Sequence, residues 1–218
     1  MNGRTPASAA VTLLVIAKEP VPGRVKTRLT PPYTPQEAAA LAEAALADTL
    51  RTVLRVPARR RVLVLDGTPG PWLPPGFEVV PQASGGLDER IAAAFARCDD
   101  GPALLLGMDT PQVTPDHLAG VGHEGHDAWF GSAADGGFWA LGFADPAGAG
   151  ALVRGVPMST DRTGAIQRRR LVEAGLTVGD LPVLRDMDTA ADLAAVATSC
   201  PPGSHLTATL GSLAETVR

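Results

Sequence analysis

The sequence predicts an α/β protein with a mostly parallel central sheet and one hydrophobic core. Short uncharged runs typical of buried strands recur along the chain, and they alternate with longer segments that carry apolar residues at helical spacing. Neither an internal repeat nor an obvious interdomain linker interrupts this alternation. We therefore predict one domain over residues 10–218, preceded by a loose tail over residues 1–9.

The composition favours a globular protein and argues against several partners. Of the 218 residues, 45% are hydrophobic and 19% are charged, with a net charge of −4. These values predict no broad basic surface for nucleic acid. No apolar run approaches the roughly 20 residues of a membrane span, and two cysteines, Cys98 and Cys200, form no disulfide framework. We expect a cytoplasmic protein that binds neither nucleic acid nor a membrane.

Individual elements follow from apolar spacing and capping residues. Thr34 and Glu37 form a predicted capping box around Pro35, which suits a first helical position, so a helix should run from there to about residue 55. We expect its positive end to assist a nearby anion. The predicted strands cover residues 11–17, 61–65, 77–80, 102–107, 128–131, 138–143 and about 176–178. Further helices are predicted at 87–98, after Thr114-Pro115, at 161–174, from the capping residue Thr189 to about residue 198, and at 206–218.

A cationic loop follows the first predicted strand directly. It carries Lys18, Arg24, Lys26 and Arg28, and its two lysines are the only ones in the chain. Open α/β folds bind anionic ligands at the carboxyl ends of strands, and both side-chain types bind phosphate. The clustering favours a phosphate-binding loop over the alternative, a solvated connector.

One acidic residue stands at the end of another buried strand. Asp109 follows residues 102–107 directly, a position that faces the ligand crevice in an open sheet. Mg²⁺ is commonly held by one or two carboxylates together with substrate phosphates. Because aspartate also begins turns, here before Pro111, the local sequence favours a metal ligand and a turn residue equally.

Two further acidic segments have simpler interpretations. Asp135, Gly136 and Gly137 stand between two predicted strands and indicate a hairpin turn, with ligand contact as a second hypothesis. Asp186 and Asp188 form a D-x-D pattern, a spacing that is common by chance. Asp188 also precedes a predicted helix cap.

Five motifs in order resemble those of a bacterial family. They are K-x-P-x-P-G-x-V-K-T-R-L at 18–29, Q-x-x-G-G-L-x-E-R at 82–90, G-M-D-T-P at 107–111, D-G-G-F at 135–138 and D-M-D-T at 186–189. The family comprises GT-A-like transferases long catalogued as a domain of unknown function. It is similar to the molybdopterin guanylyltransferases and to 2-phospholactate guanylyltransferase.

This resemblance implies a fold, a cofactor and a set of site residues. The fold would be a GT-A, Rossmann-like three-layer α/β/α sandwich of the nucleotide-diphospho-sugar transferase type, binding a nucleotide with Mg²⁺ or Mn²⁺. The implied nucleotide-binding residues are Ala17, Lys18, Pro22, Gly23, Arg24, Lys26, Thr27, Arg28, Gln82 and Arg90. The implied acceptor-binding residues are Asp135, Gly136 and Gly137. The implied metal ligands are Asp109 and Asp188, and the implied catalytic residues are Lys26, Arg28 and Asp109.

The chain departs from the family pattern at three positions near the implied acceptor side. Ser132 stands where the family usually has proline, Phe138 where it often has tyrosine, and Met158 where it has tryptophan. These differences alter the acceptor wall more than the metal site.

The leading functional hypothesis is nucleotidyl transfer from a nucleoside triphosphate to a phosphorylated small-molecule acceptor, with release of pyrophosphate. A phosphate acceptor is ionised near neutral pH and needs no general base, so catalysis would consist of positioning and charge neutralisation. The alternatives are glycosyl transfer from a nucleotide-sugar on the same fold and nucleotide binding without turnover.

Overall fold

The computed structural model describes residues 11–216, and its centre is a seven-stranded sheet. The tail that the sequence predicts at residues 1–9 lies outside the described residues. The strands are β1 (Thr12–Lys18), β2 (Arg60–Asp66), β3 (Glu78–Pro81), β4 (Ala103–Leu106), β5 (Ala128–Ala133), β6 (Phe138–Phe143) and β7 (Val178–Leu184). Their order is β3-β2-β1-β4-β6-β5-β7. Only β6 runs against its neighbours, so the predicted mostly parallel sheet is confirmed.

Within residues 11–216, six α-helices cover the sheet and its flanks. They are α1 (Pro35–Arg55), α2 (Leu87–Phe95), α3 (Ala149–Val153), α4 (Thr163–Glu173), α5 (Ala190–Ser199) and α6 (His205–Thr216). The predicted capping box of Thr34 and Glu37 is present at the start of α1, with Pro35 in the first turn. Within residues 11–216, none of these helices is both long enough and apolar enough to cross a bilayer.

Side-chain alternation along the strands builds a core on each face of the sheet. In β1, Leu14 and Ile16 face a cluster that includes Ile91 and Phe95 of α2, whereas Leu13, Val15 and Ala17 face α1. Both faces are buried, as expected of a parallel sheet covered by helices on either side. The three-layer α/β/α arrangement is therefore confirmed. Helices α5 and α6 pack against α1 in a separate cluster.

Two predicted elements differ from the structure. The helix expected after Thr114-Pro115 is only a 3₁₀ turn, Pro115–Leu118, because Gly120 and Gly122 follow closely and glycine disfavours continued helix. The strand expected near residues 176–178 runs instead over Val178–Leu184 as an edge strand beside β5. Its Gly, Asp and Pro residues weaken the local signal, and an edge position tolerates proline.

Candidate active site

A cleft of about 770 Å³ opens at the sheet edge where the parallel strands end. Because β6 runs in the opposite direction, its beginning reaches this same edge, and the β5–β6 turn joins the cleft wall. The predicted site residues that line the cleft are Ala17, Lys18, Arg24, Lys26, Thr27, Arg28, Gln82, Arg90, Asp109, Asp135, Gly137 and Asp188. Pro22, Gly23 and Gly136 do not line it.

Lys26 lines the cleft and contacts two carboxylates. Its Nζ atom lies 2.7 Å from Oδ1 of Asp109 and 2.9 Å from Oδ1 of Asp188. Arg28 pairs with the other carboxylate oxygen of Asp188. The side chain of Lys26 is only 7% exposed, so the ammonium is enclosed by the two carboxylates. The predicted cationic loop and Asp109 therefore meet in one place.

Two buried apolar residues hold the loop that presents Lys26. Val25 packs against Ala39 and Ala42 of α1, and Leu29 is fully buried in the cluster that contains Met187. Lys26 itself has a left-handed backbone, with φ of 47°, directly before the 3₁₀ turn Thr27–Leu29. The side chains on either side of Lys26 are thus anchored while its ammonium points into the cleft.

The electrostatics of Lys26 follow from this enclosure. Burial works to lower the pKa of the ammonium, but the charges and hydrogen bonds of Asp109 and Asp188 outweigh it, and the pKa lies above its ordinary value. Lys26 therefore carries its charge throughout the physiological pH range.

Gln82 and Arg90 tie together the strand ends on the β1 side. The side-chain amide of Gln82 donates to the Ala17 carbonyl at 2.7 Å and to the Val64 carbonyl at 3.2 Å. Arg90 donates to Oε1 of Gln82 and to Asp66, both at 3.2 Å. These contacts give both residues a positioning role in the wall of the cleft.

On the β1 side of the cleft, two cations have no ion-pair partner among the described residues. Lys18 and Arg24 line the cleft and are exposed, and neither forms an ion pair with any of residues 11–216. Unpaired cations at the carboxyl end of a central strand are suited to phosphate.

The predicted hairpin at Asp135 is confirmed and forms the opposite wall. The Asp135 carboxylate accepts a hydrogen bond from Gly137 N at 2.8 Å. The turn then packs on the start of α4, where Gly164 N donates to the Gly136 carbonyl at 2.8 Å. Gly136 has φ of +91° and lies against the Asp161 backbone, and a Cβ atom at Gly164 would overlap the Gly137 carbonyl. Close approach of the backbones therefore requires glycine at both positions 136 and 164.

Sequence reasoning missed Asp186 as a cleft residue. Its side chain lines the cleft, and its Oδ1 atom is buried without a hydrogen-bond partner among the described residues. Burial raises the pKa of Asp186 to about 7, and the nearby charges of Asp109 and Asp135 add to the effect. The D-x-D pattern was the available signal, but the spacing alone could not distinguish it from chance.

The segment 158–163 was predicted as part of the acceptor wall only at Met158. It contributes Met158, Ser159, Thr160, Asp161 and Thr163 to the wall. The only sequence signal was the departure from the family pattern at Met158. Its position beside the β5–β6 turn is a tertiary contact that no local pattern encodes.

The expectation that the start of α1 assists an anion was wrong. The first turn of α1 does not line the cleft. Its capping groups are already engaged, because Thr34 accepts from Glu37 N and the Glu37 carboxylate accepts from Thr34 N at 2.7 Å. The cations of the loop, and not the start of α1, line the cleft on this side.

The carboxylates fit a divalent cation that a ligand completes. Asp109 and Asp188 already share one cation, the Lys26 ammonium, and the unpartnered Asp186 oxygen lies in the same wall. Within residues 11–216, no three His, Cys, Asp or Glu side chains converge closely enough to hold a metal by themselves. Mg²⁺ commonly takes only one or two carboxylates and completes its shell with phosphate and water.

Solved structures share this fold. A candidate nucleotide-diphospho-sugar transferase from Desulfovibrio desulfuricans G20 superposes with a TM-score of 0.82 at 25% identity, covering 93% of this chain and 94% of that chain. Rv0371c from Mycobacterium tuberculosis H37Rv, in complex with manganese, matches with a TM-score of 0.51 at 21% identity over 86% of this chain and 98% of its own.

A nucleotidyltransferase also has the same fold. The 2-C-methyl-D-erythritol 4-phosphate cytidylyltransferase from Thermus thermophilus matches with a TM-score of 0.52 at 16% identity, covering 88% of this chain and 99% of that chain. The predicted fold type, that of nucleotide-diphospho-sugar transferases and nucleotidyltransferases, is confirmed.

The family follows from sequence. No curated protein sequence matches the chain. Residues 40–160 match the family described as "Uncharacterized protein conserved in bacteria (DUF2064)". This segment includes Asp109 and the Asp135–Gly137 turn, whereas the Lys26 loop lies before it. Because the match takes in more than half of the chain, and because the resemblance seen in the five motifs points to the same group, the chain belongs to this bacterial family.

Proposed function

We propose that this protein is a metal-dependent nucleotidyltransferase that moves a nucleoside monophosphate from a nucleoside triphosphate to a phosphorylated small-molecule acceptor and releases pyrophosphate. The observation that carries the proposal is the contact of Lys26 with both Asp109 and Asp188 in a cleft that also holds the unpaired cations Lys18 and Arg24. Such a set of groups combines phosphate binding with carboxylate ligands for a divalent ion.

The residues have separate roles in this reaction. Lys18 and Arg24 bind the outer phosphates of the triphosphate, which their exposure makes accessible. Lys26 and Arg28 neutralise charge that develops around the α-phosphate, the largest contribution expected in such a transfer. Asp109 and Asp188 would hold Mg²⁺ or Mn²⁺, which when bound supplies further positive charge to the phosphates.

The transfer step needs no general base. An oxygen of the acceptor phosphate, already ionised near pH 7, forms a bond to the α-phosphorus. The bond from the α-phosphorus to the bridging oxygen breaks, and pyrophosphate leaves with its electron pair. The histidines of the chain, at 117, 123, 126 and 205, do not line the cleft, in accord with a reaction that needs no such base.

The test is a pyrophosphate assay with matched binding data. The purified protein with Mg²⁺ is given each of the four ribonucleoside triphosphates together with a panel of phosphorylated acceptors. We expect pyrophosphate release with at least one pair, and a nucleotide-induced rise in melting temperature. If no triphosphate binds, the proposal fails. If a triphosphate binds but no acceptor gives product, the protein is a nucleotide-binding protein without this activity.

A second candidate function is glycosyl transfer from a nucleotide-sugar. The observation in its favour is the similarity to the Desulfovibrio desulfuricans protein, described as a candidate nucleotide-diphospho-sugar transferase. The same cations and carboxylates would then bind a diphosphate that leaves with its nucleoside. Selective binding of nucleotide-sugars over triphosphates, with release of nucleoside diphosphate, would favour this function over nucleotidyl transfer.

A further inference from the structure

The unpaired charges of the cleft separate into two groups of opposite sign. Lys18 and Arg24 are the unpaired cations; Lys18 ends β1, and Arg24 lies in the loop after it. On the other side, the carboxylates of Asp135, Asp161 and Asp186 line the cleft, and none of them has an ion-pair partner within residues 11–216. The other charged residues of the loop and strand ends, Lys26, Arg28, Asp109 and Asp188, pair with one another.

The strand order keeps these two groups apart. In the sheet, β3, β2 and β1 form one half, and β6, β5 and β7 the other, with β4 and its Asp109 between them. Lys18 ends β1, and Arg24 lies in the loop that follows. Asp135 lies in the β5–β6 turn and Asp186 follows β7. No lysine or arginine on this second half lines the cleft in the part of the chain that the structure describes.

Polar groups on the second half mainly accept hydrogen bonds. The carboxylates of Asp135, Asp161 and Asp186 supply acceptor oxygens on this wall, and those of Asp135 and Asp161 belong to exposed residues. Phe138 and Met158 add apolar surface beside these oxygens. A ligand that satisfies this wall needs hydroxyl donors and an apolar face, and it cannot carry a negative charge there without repulsion.

We propose that this half of the cleft binds the body of a hydroxyl-rich phosphate ester, a sugar phosphate, and that Asp161 and Asp135 exclude acceptors that carry a second anionic group. The inference rests on the proposed function, since it assigns the acceptor's phosphate to the central Lys26 region and the acceptor's body to the carboxylate wall. Asp161 and Asp135 are thus specificity-determining residues.

The wall is rigid enough to discriminate. Thr163 Oγ1 donates to the Pro157 carbonyl at 2.8 Å and accepts from Thr160 N at 3.0 Å, which closes the loop that carries Asp161. The Asp161 backbone in turn packs against Gly136. Because both ends of this loop are held, the backbone of Asp161 is fixed at the cleft wall, and its exposed carboxylate stays within reach of a bound acceptor.

The experiment compares ligands that differ by one charged group. The protein is first saturated with Mg²⁺ and the non-hydrolysable α,β-methylene analogue of whichever triphosphate binds. Glucose 1-phosphate and glucuronic acid 1-phosphate are then titrated by calorimetry, as are glycerol 3-phosphate and 3-phosphoglycerate. In each pair a hydroxymethyl group is replaced by a carboxylate. We expect the hydroxyl member to bind at least about tenfold more tightly in at least one pair, an effect that a single like-charge contact can produce.

Two variants separate local repulsion from overall charge. Asp161→Asn should reduce the preference for the hydroxyl member severalfold by admitting the carboxylate member. Asp116→Asn, which removes one negative charge from an exposed residue outside the cleft, should leave the preference unchanged.

Each remaining outcome overturns the inference. Equal or tighter binding of the carboxylate members would overturn it, as would a preference that Asp161→Asn leaves intact. Triphosphate binding without millimolar binding of either hydroxyl member would also overturn it, while the proposed nucleotide site would stand. If no triphosphate analogue binds, both the inference and the proposed function fail.

Discussion

Lys26 occupies the space between the two carboxylates that we assign to a divalent ion. The ammonium of Lys26 lies within 2.9 Å of an oxygen of each carboxylate. A metal ion bound by Asp109 and Asp188 would therefore compete with this ammonium for the same carboxylate oxygens. The lysine therefore stabilises the carboxylate pair before a metal–nucleotide complex arrives, and it can then turn to the phosphates that such a complex brings.

Replacing this lysine should strengthen metal binding in the absence of nucleotide. For Lys26→Ala we expect Mn²⁺ to bind about tenfold more tightly, because Asp109 and Asp188 lose their shared cation and about 1.4 kcal/mol corresponds to that factor. Triphosphate should bind about tenfold more weakly. Calorimetric titration of Mn²⁺ and of triphosphate measures both changes.

The matched control is Lys18→Ala. Lys18 lines the cleft but pairs with no carboxylate in the described chain. The Lys18→Ala variant should bind triphosphate more weakly than the unmodified protein and should have the same Mn²⁺ affinity. Unaltered Mn²⁺ affinity in Lys26→Ala would mean that the metal does not bind between Asp109 and Asp188.

Asp109 should be needed for turnover and not for folding. In Asp109→Asn we expect pyrophosphate release to fall by about 100-fold or more, as when a group that stabilises transition-state charge is removed. The side chain is partly exposed and the substitution nearly isosteric, so the melting temperature should change little. Steady-state kinetics and circular dichroism check the two expectations, and near-normal turnover would refute the assigned role.

At the scale of elements, a buried carboxylate of α1 fastens the C-terminal helix. Asp48 is 8% exposed and accepts hydrogen bonds from His205 N at 2.8 Å and Leu206 N at 2.9 Å. It therefore caps the first turn of α6 from another helix, a role usually taken by a residue directly before the helix.

Removing this cap should destabilise the protein. Asp48→Ala leaves two amide groups at the start of α6 without their acceptor, at a cost of about 1–3 kcal/mol in the free energy of unfolding. Urea denaturation measures the change, and hydrogen exchange should rise first in α6. Glu43→Ala, an exposed position on the same helix, should change the free energy of unfolding by less than about 0.5 kcal/mol. Equal effects of the two variants would contradict the capping role.

The contact between the β5–β6 turn and α4 should be sensitive to one methyl group. A Cβ atom at Gly164 would overlap the Gly137 carbonyl. Gly164→Ala should therefore shift this wall, cost about 1–3 kcal/mol of stability, and weaken acceptor binding more than nucleotide binding. Gly211→Ala in α6, which has open space around its Cβ, is the control. Binding titrations of the two ligands distinguish the outcomes, and an equal loss for nucleotide and acceptor would contradict a local effect.

Across the whole molecule, the two thiols report on different parts of the core. Cys98 packs with α2 against the sheet, and Cys200 packs with α5 and α6 against α1. Burial raises the pKa of each thiol to about 11. Since the thiolate is the nucleophile, both should react slowly at pH 8 in the native state.

At low concentrations of urea, the two thiols should be alkylated at different rates. We expect Cys200 to be alkylated first, because opening the α5–α6 layer is sufficient to expose it. Cys98 should react only with global unfolding, since it is buried beside the central strands. Mass spectrometry of pulse-alkylated protein at pH 8 measures the order, and faster alkylation of Cys98 would contradict this division of the core.

The fold was largely predictable, and the candidate site only partly so. Uncharged runs located β1, β2, β4 and β6, since buried parallel strands carry an unbroken apolar signal. The edge strand β7 was misplaced because pairing with β5, and not its own composition, decides its conformation. Lys26 and Asp109 were both predicted as site residues, whereas the presence of Asp161 and Asp186 in the cleft was not predicted.

The sequence by itself determined the order of strands and helices, the family, and the loop and strand end that carry Lys26 and Asp109, because apolar spacing, capping residues and short motifs act over a few neighbouring residues. Only the tertiary structure decided which charges are paired and which face the ligand. Pairing joins residues such as Lys26 and Asp188, which are 162 positions apart. Strand order then gathers the unpaired carboxylates on one side of the cleft and the unpaired cations on the other.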